Sequence, residues 1–390
     1  MPVNPYTPGA AKRPSAFVGR HRQFAMLDSL VDQLEAGYPA EDFIFTGLRG
    51  MGKTVFLKEA QDRFVDRGWL CGYYEVRRGD EPGVALAQII ADTYEQVGKD
   101  NWFKKIWSRS PVRLGSVTLA APAGSVSVSM ELAEARRKAV EPYRDLYRLL
   151  VQLAARAQAE GSGVVFLVDE MQQFGHHDLQ VLLQVSRQLE GFPAAIVGAG
   201  LPTLPELTSK AGTYAERFSF EQIDRLSKHE AMAAVTLPAA AFDVTFRADA
   251  LAEILRRAEG HPYFLQLYAS ETWRAAGSPS DVPGFSITRV QVDRAVPEVQ
   301  RRVDAGLYMA RYRRASSGER EYLKAMASLG DDGVRSGAVA QVLGKKLSQL
   351  SVIRERLITK GIIHSPEVGK LDFSVPGFGD YVRRQAATED

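Results

Sequence analysis

The run Gly47-Leu48-Arg49-Gly50-Met51-Gly52-Lys53-Thr54 concentrates the chemistry of this sequence. Its spacing is a glycine, four residues, then Gly-Lys-Thr. Glycines let a backbone curl until successive N–H groups converge on an anion. A helix starting directly behind them adds unpaired N–H groups and a positive dipole end. Lys53 can reach terminal phosphate oxygens, and the Thr54 hydroxyl can ligate Mg²⁺. Gly47 through Val55 is therefore the candidate phosphate-binding set. A second pair, Asp169-Glu170, closes the apolar run Val164 to Val168. An Asp at such a strand end can hold Mg²⁺. The Glu after it can orient and deprotonate an attacking water. Two solvated acids ending a strand is the plainer alternative, and the glycine-rich loop weighs against it.

Those groups need a scaffold. Phe43-Ile44-Phe45-Thr46 reads as a buried strand leading into the loop, and Val55 to Phe64 as the helix leaving it. A helix over about His21–Leu34 precedes them. Trp69–Val76 reads as a strand and Val84–Val97 as a helix. Ala194–Val197 is another buried strand, ending Gly198-Ala199-Gly200. Leu204–Ala215 is helical, and Phe218–Ile223 is a last short strand. Continuous apolar strands alternating with helices predict a parallel α/β sheet. Between them, 98–135 has a different texture. Period-2 alternation over Val112–Met130, with small residues at Ala120–Ser125, predicts an inserted β-hairpin. Glu131–Ala159 reads as a long helix, broken near Pro142.

From Lys228 the pattern is helical only, through His229–Thr236, Arg247–Glu259, Tyr263–Ala276 and Thr288–Arg314. Residues 316–390 then read as three helices and a hairpin, the order of a winged helix. The expected division is 1–227 for the phosphate-binding domain, 228–314 for a helical lid and connecting helix, and 315–390 for the winged helix. The third tail helix, Ser348–Lys360, carries Arg354, Arg356 and Lys360, with Lys345 and Lys346 just before it. Residues 311–390 hold 14 Lys+Arg against 10 Asp+Glu, a surplus that permits phosphate contacts without requiring them.

Composition bounds the rest. With 390 residues and 45% hydrophobic content the chain can build two or three domains. A net charge of +2 implies no polyanion partner by itself. Cys71 is the single cysteine, so no internal disulfide forms. No secretory leader and no membrane-length apolar run are evident, so a cytoplasmic location and no membrane partner are expected.

In order, Phe17-Val18-Gly19-Arg20, the glycine-rich loop, VVFLVDE, IVGAG, ERFSF and Gly260-His261-Pro262 resemble the AAA+/STAND branch of P-loop ATPases, nearest its origin-recognition-like and archaeal-type groups. The resemblance covers nearly the whole chain. It implies ATP or ADP with Mg²⁺, held by residues 47–55 and by Thr54 and Asp169. It also implies Val18, Arg20 and Pro262 near the nucleotide, with Glu170 and Lys53 catalytic. It implies an arginine finger at Arg217 acting in trans within a homo-oligomer, although Arg225 lies nearby and a plain helix-capping arginine is the alternative. Two departures stand out. The fourth strand ends in Gly-Ala-Gly where a polar sensor is expected, and the lid carries Gly-His-Pro where replication-initiator-like members carry an arginine. His261 could equally be a helix N-terminal residue with no ligand role. Together they predict a nucleotide switch with slow hydrolysis, coupled to DNA through the winged helix or to protein partners in the STAND manner. The insertion, with Trp102, Phe103 and Trp107 beside Lys104 and Lys105, is a candidate docking surface for a protein partner or for DNA, or a cover for the sheet.

Overall fold

The computed structural model describes residues 3–389 apart from 78, 81–84, 87, 91–92, 94–111, 115–116, 121–126, 131–143, 212–217 and 278. It divides into two compact units. One holds Arg20–Gly47 and Lys53–Ile223, the other Met1–Gly19, Leu48–Gly52 and Asp224–Asp390.

The first unit is built on five strands, β1 (Asp42–Thr46), β2 (Leu70–Glu75), β6 (Val164–Asp169), β7 (Ala194–Gly200) and β8 (Phe218–Gln222). They pair in the order β2-β6-β7-β1-β8, all parallel. Parallel pairing brings every strand's C-terminal end to one edge, where ligands of open α/β sheets bind. Every residue of β6 is buried, so its sequence is a continuous apolar run. Helix α2 (Lys53–Asp66) packs on β1 through Phe56, whose ring centroid lies 4.6 Å from Phe45 and 4.8 Å from Phe24 of α1 (His21–Glu35). A polar anchor fixes the start of β1. Asp42 accepts the Ile196 N–H at 2.7 Å and the Ser186 hydroxyl. Helices α3 (Arg144–Ala159), α4 (His176–Gln188) and α5 (Leu204–Ala211) also belong to this unit.

In the insertion three strands pair as an antiparallel meander: β3 (Val112–Leu114), β4 (Val117–Ala120) and β5 (Ser127–Met130). The expected hairpin is its β4–β5 half; β3 is three residues long, too short for a period to register. The aromatic-lysine segment 102–107, the stretch near Pro142 and Arg217 lie outside the described residues.

The second unit contains α6 (Lys228–Ala240), α7 (Ala248–Ala258), α8 (Pro262–Ala275) and α9 (Arg289–Arg302). It is not purely helical. Two-residue strands β9 (Thr245–Phe246) and β10 (Ser286–Ile287) pair in parallel across the helices between them. The N-terminal segment straps this unit. Tyr6 donates its hydroxyl to the Val235 carbonyl, Asn4 donates to Ser270, and Trp273 donates to the Val3 carbonyl. After α9 the chain makes one π turn, Val303–Tyr308, before α10 (Met309–Arg314). The tail holds α11 (Ser317–Leu329), α12 (Ser336–Val342), α13 (Leu347–Thr359) and α14 (Phe378–Glu389). Its sheet has three strands, β11 (Val334–Arg335), β12 (Ile363–His364) and β13 (Lys370–Phe373), in the order β11-β13-β12. That is a winged-helix arrangement with one strand more than the expected hairpin. No helix of the described residues is long and apolar enough to cross a membrane.

Candidate nucleotide site

The loop after β1 is conformationally committed. Gly50 and Gly52 adopt φ of 87° and 88°, a region that side chains resist. Gly47 is required for a different reason: a Cβ there would lie 2.3 Å from the Ile223 carbonyl oxygen. Its N–H donates to the Gly200 carbonyl at 3.1 Å, so the loop's first residue is tied to the end of β7. Lys53, buried at the first position of α2, donates Nζ–H to the Gly47 carbonyl at 2.8 Å. The ammonium is thus held against the mouth of the loop it belongs to.

Asp169 ends β6 with its carboxylate fully buried. Burial raises its pKa above the usual carboxylate range; the Thr54 hydroxyl, the Glu170 N–H and the Lys53 charge pull the other way, and Glu170 adds repulsion. The Glu170 N–H donates to Oδ1 at 2.8 Å and the Tyr73 hydroxyl to Oδ2 at 3.2 Å. A hydroxyl and a carboxylate oxygen facing one another are the hard-oxygen donor set that suits Mg²⁺, so Thr54 and Asp169 fit the ion. Glu170 takes the left-handed conformation, φ 54° and ψ 35°, and opens a 3-10 turn. Such strain in a non-glycine residue marks positions that the surrounding structure over-determines. Gln172, within that turn, donates Nε2–H to Glu170 Oε2 and accepts the Leu201 N–H at 3.0 Å.

In the second unit, residues Leu48–Gly52 cluster with 1–19 and 224–390, the stretch that holds α6, α7 and α8. His261 is the N-cap of α8, with Pro262 at its first position. Its Cε1 would lie 2.5 Å from a Cβ on Gly50. The imidazole is buried, and neither ring nitrogen has a hydrogen-bond partner. Burial first, then the Arg225 charge, pulls its pKa down to about 3, so the ring is neutral. Arg225 pairs with Glu259 at 2.8 Å. Arg311, on α10, donates to the Leu307 carbonyl at 3.3 Å and leaves Nε buried without a partner. Burial, then the charges of Arg49 and Arg314, lower its pKa to about 10. Val18 is half-buried against the apolar core of this unit. Arg20, in the other unit, is buried in the left-handed conformation at the start of α1.

The sequence alone gave no reason to single out Asp42, Tyr73, Gln172 or Arg311. Tyr73 lies in a strand as an ordinary aromatic, and Gln172 falls in no motif spacing. In the winged helix, Lys360, just past the end of α13, is half-buried and engaged. It donates to the Arg314 carbonyl at 3.0 Å and pairs with the buried Glu319 carboxylate. Arg356 is exposed, Arg354 half-buried, and Leu347 and Val352 are exposed on the same helix.

Residues 16–197 match the family model described as AAA ATPase domain, and residues 305–382 one described as a domain of unknown function (DUF8462). No curated protein matches the sequence. Among solved structures, the Walker-type ATPase of Pyrococcus abyssi is similar at 14% identity, covering 96% of this chain and 97% of that one with a TM-score of 0.63. The Aeropyrum pernix ORC2 protein, solved as ADPNP–ADP complexes, is similar at 12% identity, covering 99% and 100% with a TM-score of 0.55. At these identities the likeness is one of fold, the parallel P-loop NTPase sheet followed by helical and winged-helix regions.

Proposed function

We propose, from the AAA ATPase domain at residues 16–197, that this chain is an ATP-driven switch. It binds ATP on Gly47–Val55, hydrolyses it slowly, and couples the nucleotide state to DNA binding or assembly. The observation carrying this reading is the pairing of a fully buried Asp169 carboxylate with Thr54 and Lys53 at the C-terminal edge of the sheet. Mg²⁺, when bound, neutralises charge on the phosphates. Thr54 and Asp169 would hold it. Lys53 would exchange the Gly47 carbonyl for a phosphate oxygen, and backbone N–H groups of the loop would bind the phosphates. Glu170 takes the proton of the attacking water. Slow turnover follows from the end of β7, where Gly198, Ala199 and Gly200 offer no polar side chain to orient that water.

In this reading residues 228–314 act as lid and residues 315–390 as the reading head. Val18, Arg20 and Pro262 contribute to nucleotide binding, and Arg217 acts as a finger in trans between copies. Arg354 and Arg356 would face DNA phosphates. A second reading, a STAND-type switch working through a protein partner without DNA, draws support from the exposed Val342, Leu347 and Val352 on and beside α13.

ATP turnover by wild type, Lys53→Ala and Glu170→Gln, each with and without duplex DNA, tests the proposal. Lys53→Ala is expected to lose nucleotide binding, and Glu170→Gln to bind ATP without turning it over. Equal turnover in wild type and Glu170→Gln would remove Glu170 from its role. No DNA binding at low salt would leave the protein-partner reading in place.

A further inference from the structure

The end of β7 lacks a polar side chain, yet a polar group does bridge it to Glu170. Gln172 Oε1 accepts the Leu201 N–H at 3.0 Å, and Nε2 donates to Glu170 Oε2. The backbone N–H can only donate, so it fixes which end of the amide is oxygen. A flipped amide would set N–H against N–H and oxygen against carboxylate. Gly200 makes the bridge possible, because a Cβ there would lie 2.7 Å from Gln172 Oε1. The Glu170 backbone is fixed as well. Its N–H is bound to Asp169, and its carbonyl accepts the Gln173 N–H at 2.8 Å. Together these contacts hold both the left-handed backbone and the carboxylate of Glu170.

We propose that Gln172 is a positioning residue for the Glu170 carboxylate, its amide bridging that group to the end of β7 through Leu201. This rests on the assignment of Glu170 as the base. The glycine-rich end of β7 then has a use: it opens the path by which a side chain from the neighbouring loop reaches the place.

Two variants test it, each first shown to bind ADP as wild type does. Gln172→Glu keeps the acceptor for Leu201 and replaces the donor with a second carboxylate beside Glu170. Abutting carboxylates cannot both ionise easily, so the acidic limb of the kcat–pH profile is expected to move up by about one unit or more. KM for ATP should stay unchanged. Gln172→Asn, one methylene too short to span both partners, is expected to lower kcat about tenfold without moving the limb. Loss of kcat in Gln172→Glu with the limb unmoved would mean a merely structural role and would overturn the proposal. So would wild-type kinetics in both variants while Glu170→Gln is silent. Full turnover by Glu170→Gln, or none by wild type, would instead strike the underlying assignment.

Discussion

The Tyr73 hydroxyl reaches Asp169 Oδ2 diagonally across the β2–β6 pair, where Tyr73 lies opposite Leu167 and Asp169 opposite Glu75. The phenol is pushed above its ordinary pKa, first by burial and then by the Asp169 and Glu75 charges, so it stays a donor. Tyr73→Phe removes that donor from a carboxylate assigned to the metal. Partners of this kind support metal affinity, and losing one is expected to weaken ADP binding about tenfold in the presence of Mg²⁺. Fluorescent-ADP titration with and without EDTA checks this; an equal loss in EDTA counts against the role of Asp169.

Gly50 and Gly52 share nearly the same positive φ, but a Cβ on Gly50 would lie 2.5 Å from His261 Cε1, whereas a Cβ on Gly52 would meet no other side chain or backbone within 4 Å. Gly52→Ala should therefore cost only the backbone term, about 1–2 kcal/mol. Gly50→Ala adds a clash with a buried ring and should melt well below Gly52→Ala. Thermal melting of the pair isolates the contact, and equal midpoints would deny it.

His261 gives a pH dependence whose sign is fixed. Its folded pKa of about 3 lies below the ordinary 6.5, so the unfolded chain binds the proton first as pH falls. The stability it contributes is complete above pH 6.5 and drains away between about 6.5 and 3. By pH 5 the loss is about 2 kcal/mol. Chemical denaturation at pH 7.5 and pH 5 should show a smaller drop in His261→Gln than in wild type. Identical drops would mean the ring is not buried neutral.

Lys360→Met should destabilise the tail by about 3 kcal/mol, because it strands the Glu319 carboxylate without its ammonium. Glu319 also accepts the Ser316 N–H at 2.7 Å as part of the cap of α11. Burial alone would raise its pKa, and these contacts hold it below the ordinary value. Adding Glu319→Gln should recover most of the loss. No recovery in urea melts would show that Lys360 acts through something other than this pair.

The parallel sheet was legible because β1, β6 and β7 are buried on both faces and leave largely apolar runs, with Asp169 and Glu170 at the end of one and Lys53 and Thr54 just past the glycine-rich loop that follows another. What stayed hidden depends on proximity in space. Tyr73 reaches Asp169 only through the β2–β6 register. Gln172 gains meaning only because Gly200 leaves room for it. Asp42 reads as a polar residue before a strand until its bonds to Ile196 and Ser186 are seen. Lys360 looked like a surface cation of a reading helix because the sequence does not show that Glu319 is buried opposite it. The strands β9, β10 and β11 are two residues each, below the length at which alternation can register.

The π turn at Val303–Tyr308 carries one residue more than an α turn would need. Each residue of an α-helix advances about 100° around the axis. The wider turn takes up that surplus residue, so Tyr308 and Tyr312 meet Phe378 and Tyr381 at the phase of a regular helix one residue shorter. Gly306, exposed within the turn and with open space where its Cβ would stand, could be deleted without leaving a cavity. The shortened helix would be regular, and both tyrosines would still meet the aromatic cluster they complete, because the wide turn had already taken up the surplus residue.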